Sequence, residues 1–431
     1  MTASKDAAHS ARYLQTLERT GTLPSGFSAA TVALSFTSKE RGKSYPMNLS
    51  LILLEEPTES FAGVFTRNRF AGAPVLIGRQ RLQQPRVRGI LVNNKVANVG
   101  ARGAVADAEL LCDRLGELVG CSGREILPAS TGVVGWKLPV AEMLEALPKL
   151  AAGRQERGLL PVARAIMTTD SYPKLHREKI AGGSIVGVAK GAGMIEPNMG
   201  TMLAFLLTDL AVEPAFLRQC LAECVRHSFN RISVDSDQST SDMAVALSSG
   251  KRPAARPAAF RQGLLTVCRR LAEDVVRNGE GVAHVLRVCV KAAASEELAV
   301  GAAKAVVNSP LVKTAVFGND ANVGRILAAL GDYFGSLGDD AGEVFDLGRL
   351  RVRLGGTEIF RRGSFCLDVR KEKRLAAYLQ ECAQDPQRKG FPQHDRTVDI
   401  TVDLGIGRAQ DEVLGSDLSF EYVRENAEYR S

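Results

Sequence analysis

Lys190-Gly-Ala-Gly-Met-Ile-Glu-Pro-Asn-Met-Gly-Thr201-Met-Leu-Ala-Phe205 sets a Gly/Pro-rich loop against an apolar, strand-like run, with a hydroxyl residue, Thr201, at the junction. Gly200 adds little bulk beside its own carbonyl. The Thr201 hydroxyl can therefore attack that carbonyl, move the acyl group from N to O, and be released by water. The product is a chain that begins at Thr201, whose new α-amine can take the proton from its own hydroxyl. That is a recognised way to activate a weak nucleophile. The same residues also read as an ordinary turn into a strand, because Gly, Pro, Asn and Thr all favour turns.

Working outward, Ala204–Ala211 reads as a strand, and so, more weakly, does Ile180–Val188. Downstream, Phe216–Asn230 and Leu264–Asn278 have the apolar spacing of amphipathic helices, the second stopped by Gly279. Leu286–Val290 reads as a strand, Glu296–Val307, Val323–Leu330 and Lys371–Cys382 as helices, and Asp385–His394 as a polar loop. Upstream, residues 1–25 read as a polar, frayed extension. The apolar runs Thr31–Phe36, Leu51–Leu54, Phe61–Phe65, Pro74–Ile77 and Arg88–Asn94 read as strands. Ala101–Val119 has helical spacing with Leu110, Leu111, Leu115 and Leu118 on one side. Val140–Ala152 and Pro161–Met167 read as helices as well. The expectation is a mixed α/β chain of short strands and flanking helices, with no regular βαβ rhythm and no internal repeat.

Bulk properties narrow the function. The chain has 431 residues, 45% apolar and 24% charged, which suits a globular protein with a sizeable core. A net charge of +7 fits acidic small substrates. The basic residues are scattered without a Lys/Arg block, which argues against nucleic acid. The eight Cys form no C-x-x-C pair, so a reducing compartment, the cytoplasm, is expected rather than a disulfide framework. The N-terminus lacks the apolar centre of a signal peptide, and the run Met202–Leu210 is too short to span a membrane.

Chemical motifs are few. No H-E-x-x-H occurs and the five His are dispersed, so no metal site is expected. Asp235–Asp242 resembles a calcium loop but has Thr240 at the sixth position and Ala246 at the twelfth. It reads instead as a polar turn or the lining of a polar pocket. Ala129-Ser-Thr131-Gly132-Val-Val-Gly135 is a small-residue turn whose N–H groups could form an oxyanion hole, or a plain tight turn. Met167-Thr168-Thr169-Asp170 is a helix cap or a substrate contact.

Taken in order, seven segments change the weighting. They are Gly63-Val-Phe-Thr-Arg-Asn68, Ser130-Thr-Gly-Val-Val-Gly135, Ile166-Met-Thr-Thr-Asp170, Ala189-Lys-Gly-Ala-Gly-Met-Ile-Glu-Pro197, Phe229-Asn-Arg-Ile-Ser-Val-Asp235, Val312-Lys-Thr-Ala-Val-Phe-Gly318 and Tyr422-Val-Arg-Glu-Asn-Ala-Glu-Tyr-Arg-Ser431. In this order the chain resembles the ornithine acetyltransferases, or glutamate N-acetyltransferases, of arginine biosynthesis. The resemblance implies a self-cleaving, N-terminal-Thr-nucleophile acetyltransferase fold, cut between Gly200 and Thr201 into an alpha chain, 1–200, and a beta chain, 201–431. It implies acetyl transfer from N2-acetylornithine to glutamate through acetyl-Thr201, in ping-pong order. Thr131 and Gly132 would be the oxyanion pair. Thr168, Lys190, Thr201, Glu280, Asn426 and Ser431 would hold the substrate. No cofactor or metal is implied, and acetyl-CoA as a second donor is left open. Two alpha and two beta chains would assemble into a heterotetramer.

Some positions depart from the family pattern. Gly200 stands where Ala is usual, and Lys95 where Gly is usual in the loop Asn93–Asn98. His284 follows Glu280 where Lys is common, and Val323 replaces a common Trp. These leave two other readings: an N-terminal-nucleophile amidase or aminopeptidase using the same Thr201, or an unprocessed protein that binds acetylated amino acids.

Overall fold

The computed structural model describes residues 2–180, 182–196, 202–338, 345–384 and 392–428. The chain divides into two units: residues 11–230 with 237–275, and residues 1–10 and 231–236 with 276–431.

In the first unit, strand alternation builds two sheets. One has the order β1-β2-β4-β5, from β1 (Phe27–Thr37), β2 (Ser44–Thr58), β4 (Val87–Asn93) and β5 (Ile126–Ser130). The other has the order β3-β10-β8-β7-β6. Its strands are β3 (Phe61–Phe65), β6 (Lys174–Ile180), β7 (Gly183–Lys190), β8 (Leu203–Leu210) and β10 (Met243–Arg252). Alternate residues from both sheets meet in one core: Ile90, Val92, Leu127 and Ala129 from one, and Val186, Val188, Leu203, Phe205 and Val245 from the other. The sheets thus pack face to face. Each fully buried Leu, Val or Phe here contributes about 1.5–3 kcal/mol.

Helices cover the outer faces. On the first sheet, Leu49, Leu51, Leu91 and Ile126 pack with Leu111 and Leu115 of α3 (Ala104–Val119) and with Leu147 and Leu150 of α4 (Val140–Ala152). On the second sheet, Gly187 leaves room for α7 (Pro257–Arg277). A Cβ at Gly187 would lie 2.7 Å from Val267 and 2.8 Å from Leu271. The short α5 (Leu160–Ala165) contributes Val162 and Ala163 to the inter-sheet core, and α6 (Pro214–Arg226) buries Leu217, Cys220 and Leu221.

Three sequence expectations change. Residues 2–20 form a helix, α1 (Thr2–Thr20), instead of a frayed extension; Leu17 is buried and the Tyr13 hydroxyl donates to Pro173 O at 3.0 Å. Pro74–Ile77 is not a strand but part of α2 (Ala73–Arg81). Its Pro sits in the first turn, where the fixed φ suits a helix, and Gly78 packs against the Phe65 ring. Leu110 lies outside the buried side of α3 and is exposed, whereas Ala108, Leu111, Cys112 and Leu115 are inside.

The second unit is a seven-stranded sheet of order β14-β13-β12-β15-β11-β16-β9. Its strands are β9 (Ile232–Ser233), β11 (Val285–Ala293), β12 (Arg351–Leu354), β13 (Thr357–Arg361), β14 (Ser364–Phe365), β15 (Val398–Asp403) and β16 (Ala409–Ser416). One face is apolar. It packs Leu286, Val288, Val352, Ile400 and Val413 under α8 (Glu296–Asn308), α9 (Pro310–Phe317), α10 (Gly324–Ser336) and α11 (Val369–Cys382). The opposite face carries Lys291, Arg351, Arg353 and Asp399, all exposed, as expected of a sheet wetted on one side. Val323, one residue before α10, is buried in this core. The helices start where the sequence caps them: the Ser295 side chain accepts from Leu298 N, Ser309 from Val312 N, and Asp368 from Lys371 N. A last helix, α12 (Phe420–Glu428), buries none of its residues.

Candidate active site

Thr201, Gly200 and Ser431 lie outside the described residues. The chain next to Thr201 is described. Met202 leads into β8, a central strand flanked by β7 and the parallel β10, and Met202 O accepts Met243 N at 3.0 Å. Lys190 pairs in register with Leu203. The segment before Met243 belongs to the same neighbourhood. Ser239–Asp242 is buried, Thr66 N donates to Asp242 O at 3.1 Å, and Gly72 N donates to Thr240 O at 2.8 Å.

Three of the expected residues meet in the first unit through a chain of hydrogen bonds. Thr131 follows β5 and donates its N–H to Asn93 O, 3.1 Å away at the end of the parallel neighbour β4. The next residue of that loop, Asn94, donates Nδ2–H to Met167 O at 2.9 Å, and its Oδ1 accepts Asn48 N at 2.8 Å. Beside Met167, Thr168 N donates to Asp170 Oδ2 at 3.0 Å. Asp170 Oδ1 in turn accepts Gly191 N at 2.8 Å, the residue after Lys190. The oxyanion turn, Thr168 and the end of β7 therefore share one neighbourhood.

Gly132 is required by its place. Its φ is +121°, and a Cβ there would lie 2.2 Å from the Lys95 carbonyl oxygen. That carbonyl accepts Val133 N at 3.0 Å, and Val133 O accepts Ala97 N at 3.0 Å, so the loop 93–97 grips the turn from both sides. Among the described residues, the Gly132 N–H and the Thr131 hydroxyl have no hydrogen-bond partner. The Lys95 side chain runs over the Tyr45 ring, 5.2 Å from its centroid, and Tyr45 packs against Trp136 at 5.0 Å. Lys95 thus acts on the turn through its backbone, with its charge lodged on an aromatic ring.

Lys190 is buried, and it shares the inter-sheet face of β7 with Val186 and Val188. Asp170 and Lys174 form an ion pair with both side chains fully buried. Burial pushes the Asp170 carboxyl up, but Lys174 and Lys190 beside it, with the Thr168 N–H, outweigh that and hold it well below the usual carboxylate range. From the sequence, Met167–Asp170 reads as a helix cap or a substrate contact, with no tie to the end of β7. Asp170 anchors both Thr168 and Gly191, and Asn94 links Met167 to the loop beside the Thr131–Gly132 turn. The clustering of polar residues in Asn93–Asn98 and Thr168–Asp170 was the available signal.

The second unit brings the other pair together. Glu280 is buried at the turn after α7, and Asn426 Nδ2 on α12 donates to Glu280 Oε2 at 2.8 Å. The turn is held from the chain beyond β16. Gly281, at φ +61°, faces Tyr422 N; Ser419 Oγ donates to Gly281 O at 2.6 Å; and Asp417 Oδ1 accepts Ala283 N at 3.0 Å. His284 is buried with Nδ1 2.8 Å from Asp417 Oδ2, and Nε2 3.2 Å from both Leu379 O and Asn319 Oδ1. It is a structural tie behind the Glu280 turn. Glu296 and Asp411 are both engaged by the Arg231 guanidinium, at 2.6 and 2.9 Å.

A model of the ArgJ family matches residues 33–431. The arginine biosynthesis bifunctional protein ArgJ of Nitratidesulfovibrio vulgaris is 38% identical over 419 residues, 95% of this chain and 99% of that protein. The protein of the same name from Methylococcus capsulatus is 40% identical over 396 residues, 88% of this chain and 91% of its own. Among solved structures, arginine biosynthesis bifunctional protein argJ from Bacillus halodurans is 33% identical. It covers 53% of this chain and 100% of its own, with a TM-score of 0.45.

Proposed function

The chain belongs to the ArgJ family, and from that premise we propose that Thr201 carries its chemistry as an N-terminal nucleophile. As a family member it is an acyltransferase of arginine biosynthesis, a glutamate N-acetyltransferase that takes acetyl from N2-acetylornithine. The observation that supports the site reading best is the hydrogen-bond chain that runs from Thr131 through Asn93–Asn94, Met167, Thr168 and Asp170 to Gly191, beside the proposed oxyanion donors and Lys190.

In the maturation step, Thr201 Oγ attacks the Gly200 carbonyl, the Gly200–Thr201 amide becomes an ester, and water cleaves it. Gly200 keeps a carboxylate and Thr201 gains a free amine. In the first half-reaction that amine takes the hydroxyl proton as Oγ adds to the acetyl carbonyl of N-acetylornithine. The oxyanion is met by the Gly132 N–H and the Thr131 hydroxyl. Collapse breaks the C–N bond, ornithine leaves with the proton, and acetyl-Thr201 remains. The glutamate amine then attacks the ester, and Thr201 Oγ departs and regains a proton. Acetyl-CoA as donor would form the same acetyl-Thr201. Lys190 pairs with the substrate α-carboxylate, and Thr168 lines the same wall. Glu280, held by Asn426, orients or deprotonates the attacking amine, and Ser431 completes the substrate set. Nucleophile, proton acceptor and oxyanion donors all come from the chain, so the reaction needs no cofactor or metal.

Sheet topology supports lasting association of the alpha and beta pieces. Order β3-β10-β8-β7-β6 places two strands from 201–431 between β3 and the β7–β6 pair of 1–200. Two such alpha–beta pairs are proposed per assembly, in the cytoplasm. No helix among the described residues is long and apolar enough to cross a membrane.

Intact-protein mass spectrometry before and after N-acetylornithine tests the reading. Two pieces, 1–200 and 201–431, are expected, and the second gains the mass of one acetyl group at Thr201. A single uncut chain that never acquires acetyl defeats it. Native mass spectrometry reads the number of pairs.

A further inference from the structure

We propose that Lys174 is a positioning residue that occupies Asp170 and so leaves Lys190 for the substrate carboxylate. The inference rests on the carboxylate-binding reading of Lys190.

Lys174 on β6 is ion-paired with Asp170, and Lys190 on the adjacent antiparallel β7 adds to the field at the same carboxylate. Lys174 opens β6 and Lys190 closes β7, with Lys174 opposite Ala189 in register. Of the two lysines, Lys174 is the one bonded to Asp170: its Nζ donates to Oδ1, which also takes the Gly191 N–H, while Oδ2 takes the Thr168 N–H. Lys190 lies within the field of Asp170, yet no hydrogen bond joins them among the described residues. Charged groups facing Lys174 also include Asp274 of α7, which is itself bonded to His176 Nε2 at 2.7 Å, and Lys190. Its Nζ also sits over the Tyr172 ring, 5.6 Å from the centroid.

The consequence is a competition held in check. A buried carboxylate without a counter-charge is strongly unfavourable, so it captures a cation within reach. With Lys174 present, Asp170 is satisfied and Lys190 remains available. Without it, Asp170 turns to Lys190, and the substrate carboxylate must displace an internal partner. Lys174 then governs substrate affinity without touching substrate.

The test is a suppression experiment on the full, processed enzyme, reading kcat and KM for N-acetylornithine and for glutamate. Lys174→Met is expected to raise both KM values about tenfold, with kcat within about threefold of the parent. Lys174→Gln, which keeps a donor toward Asp170 but no charge, raises them by the same route and stands in if the Met variant does not fold. Adding Asp170→Asn to either variant removes the competitor, and KM returns to within about threefold of the parent. A merely structural role predicts the opposite, since a second buried change compounds the first. Lys190→Met separates the two levels. If it leaves KM unchanged, the carboxylate reading of Lys190 fails. If it raises KM while the Lys174 variants do not, or if Asp170→Asn fails to restore them, the inference about Lys174 is overturned.

Discussion

The two units hold their candidate residues by different means. The first unit fixes Thr168 and the end of β7 on a fully buried carboxylate. The second presents Glu280 from a turn and steadies it with Asn426, an exposed residue on a helix that buries nothing. A buried charge network fails as a whole when one member goes, whereas an exposed clamp loses only its own bond. The Asp170–Lys174 network is therefore the rigid one, and the Glu280–Asn426 clamp the adjustable one.

That contrast can be broken at several points. The largest effect is expected from Gly132→Val. Its side chain would begin 2.2 Å from Lys95 O in a backbone conformation hostile to β-branched residues. Acetyl transfer should fall by about 10³-fold or more, as for loss of an oxyanion donor. A rate near that of the parent removes the oxyanion assignment. Next comes Asp170→Ala, which strands Lys174 in the core and should cost about 3–5 kcal/mol of stability in denaturant titration. The same carboxylate makes the first unit acid-sensitive. Its native pKa is depressed, so its contribution is complete above the ordinary carboxylate range and is lost as pH falls below about 4 toward the lowered native value. Asp170→Asn combined with Lys174→Met should flatten that loss, and an unchanged acid profile would contradict it.

In the second unit, Asp417→Ala removes the acceptor of both Ala283 N and His284 Nδ1, with an expected cost of about 1–3 kcal/mol. The smallest effect belongs to Asn426→Ala. Stability should move by less than about 0.5 kcal/mol, while kcat/KM for glutamate drops a few-fold. A stability loss as large as that of Asp170→Ala would erase the distinction between the units.

Much of the scaffold was legible because its signals are local. The strand after Thr201 is apolar throughout, and α4 and α11 repeat apolar residues at helical spacing. What escaped depends on neighbours distant in sequence. The strand β6, Lys174-Leu-His-Arg-Glu-Lys-Ile180, lies at a sheet edge and is partly wetted, so its composition resembles a loop. The helix α1 looked frayed because only a few residues, such as Tyr13 and Leu17, anchor it. The oxyanion turn could be suspected from its small residues. The reason for Gly132, a carbonyl 37 positions earlier in the chain, could not. Asp170 read as part of a cap or a substrate contact; its structural role was hidden because Gly191, its other partner, arrives only when β6 and β7 pair.

The loop that grips the oxyanion turn also rests on the chain's single tryptophan, Trp136, buried against Tyr45 beneath Lys95. The molecule thus carries one intrinsic optical probe, placed five positions after Thr131. Its emission reports on the wall behind the oxyanion turn rather than on an average over the chain, and Tyr45 is placed to pass excitation to it. Stopped-flow fluorescence could then follow filling of the acyl site in real time, without a label and without altering a residue.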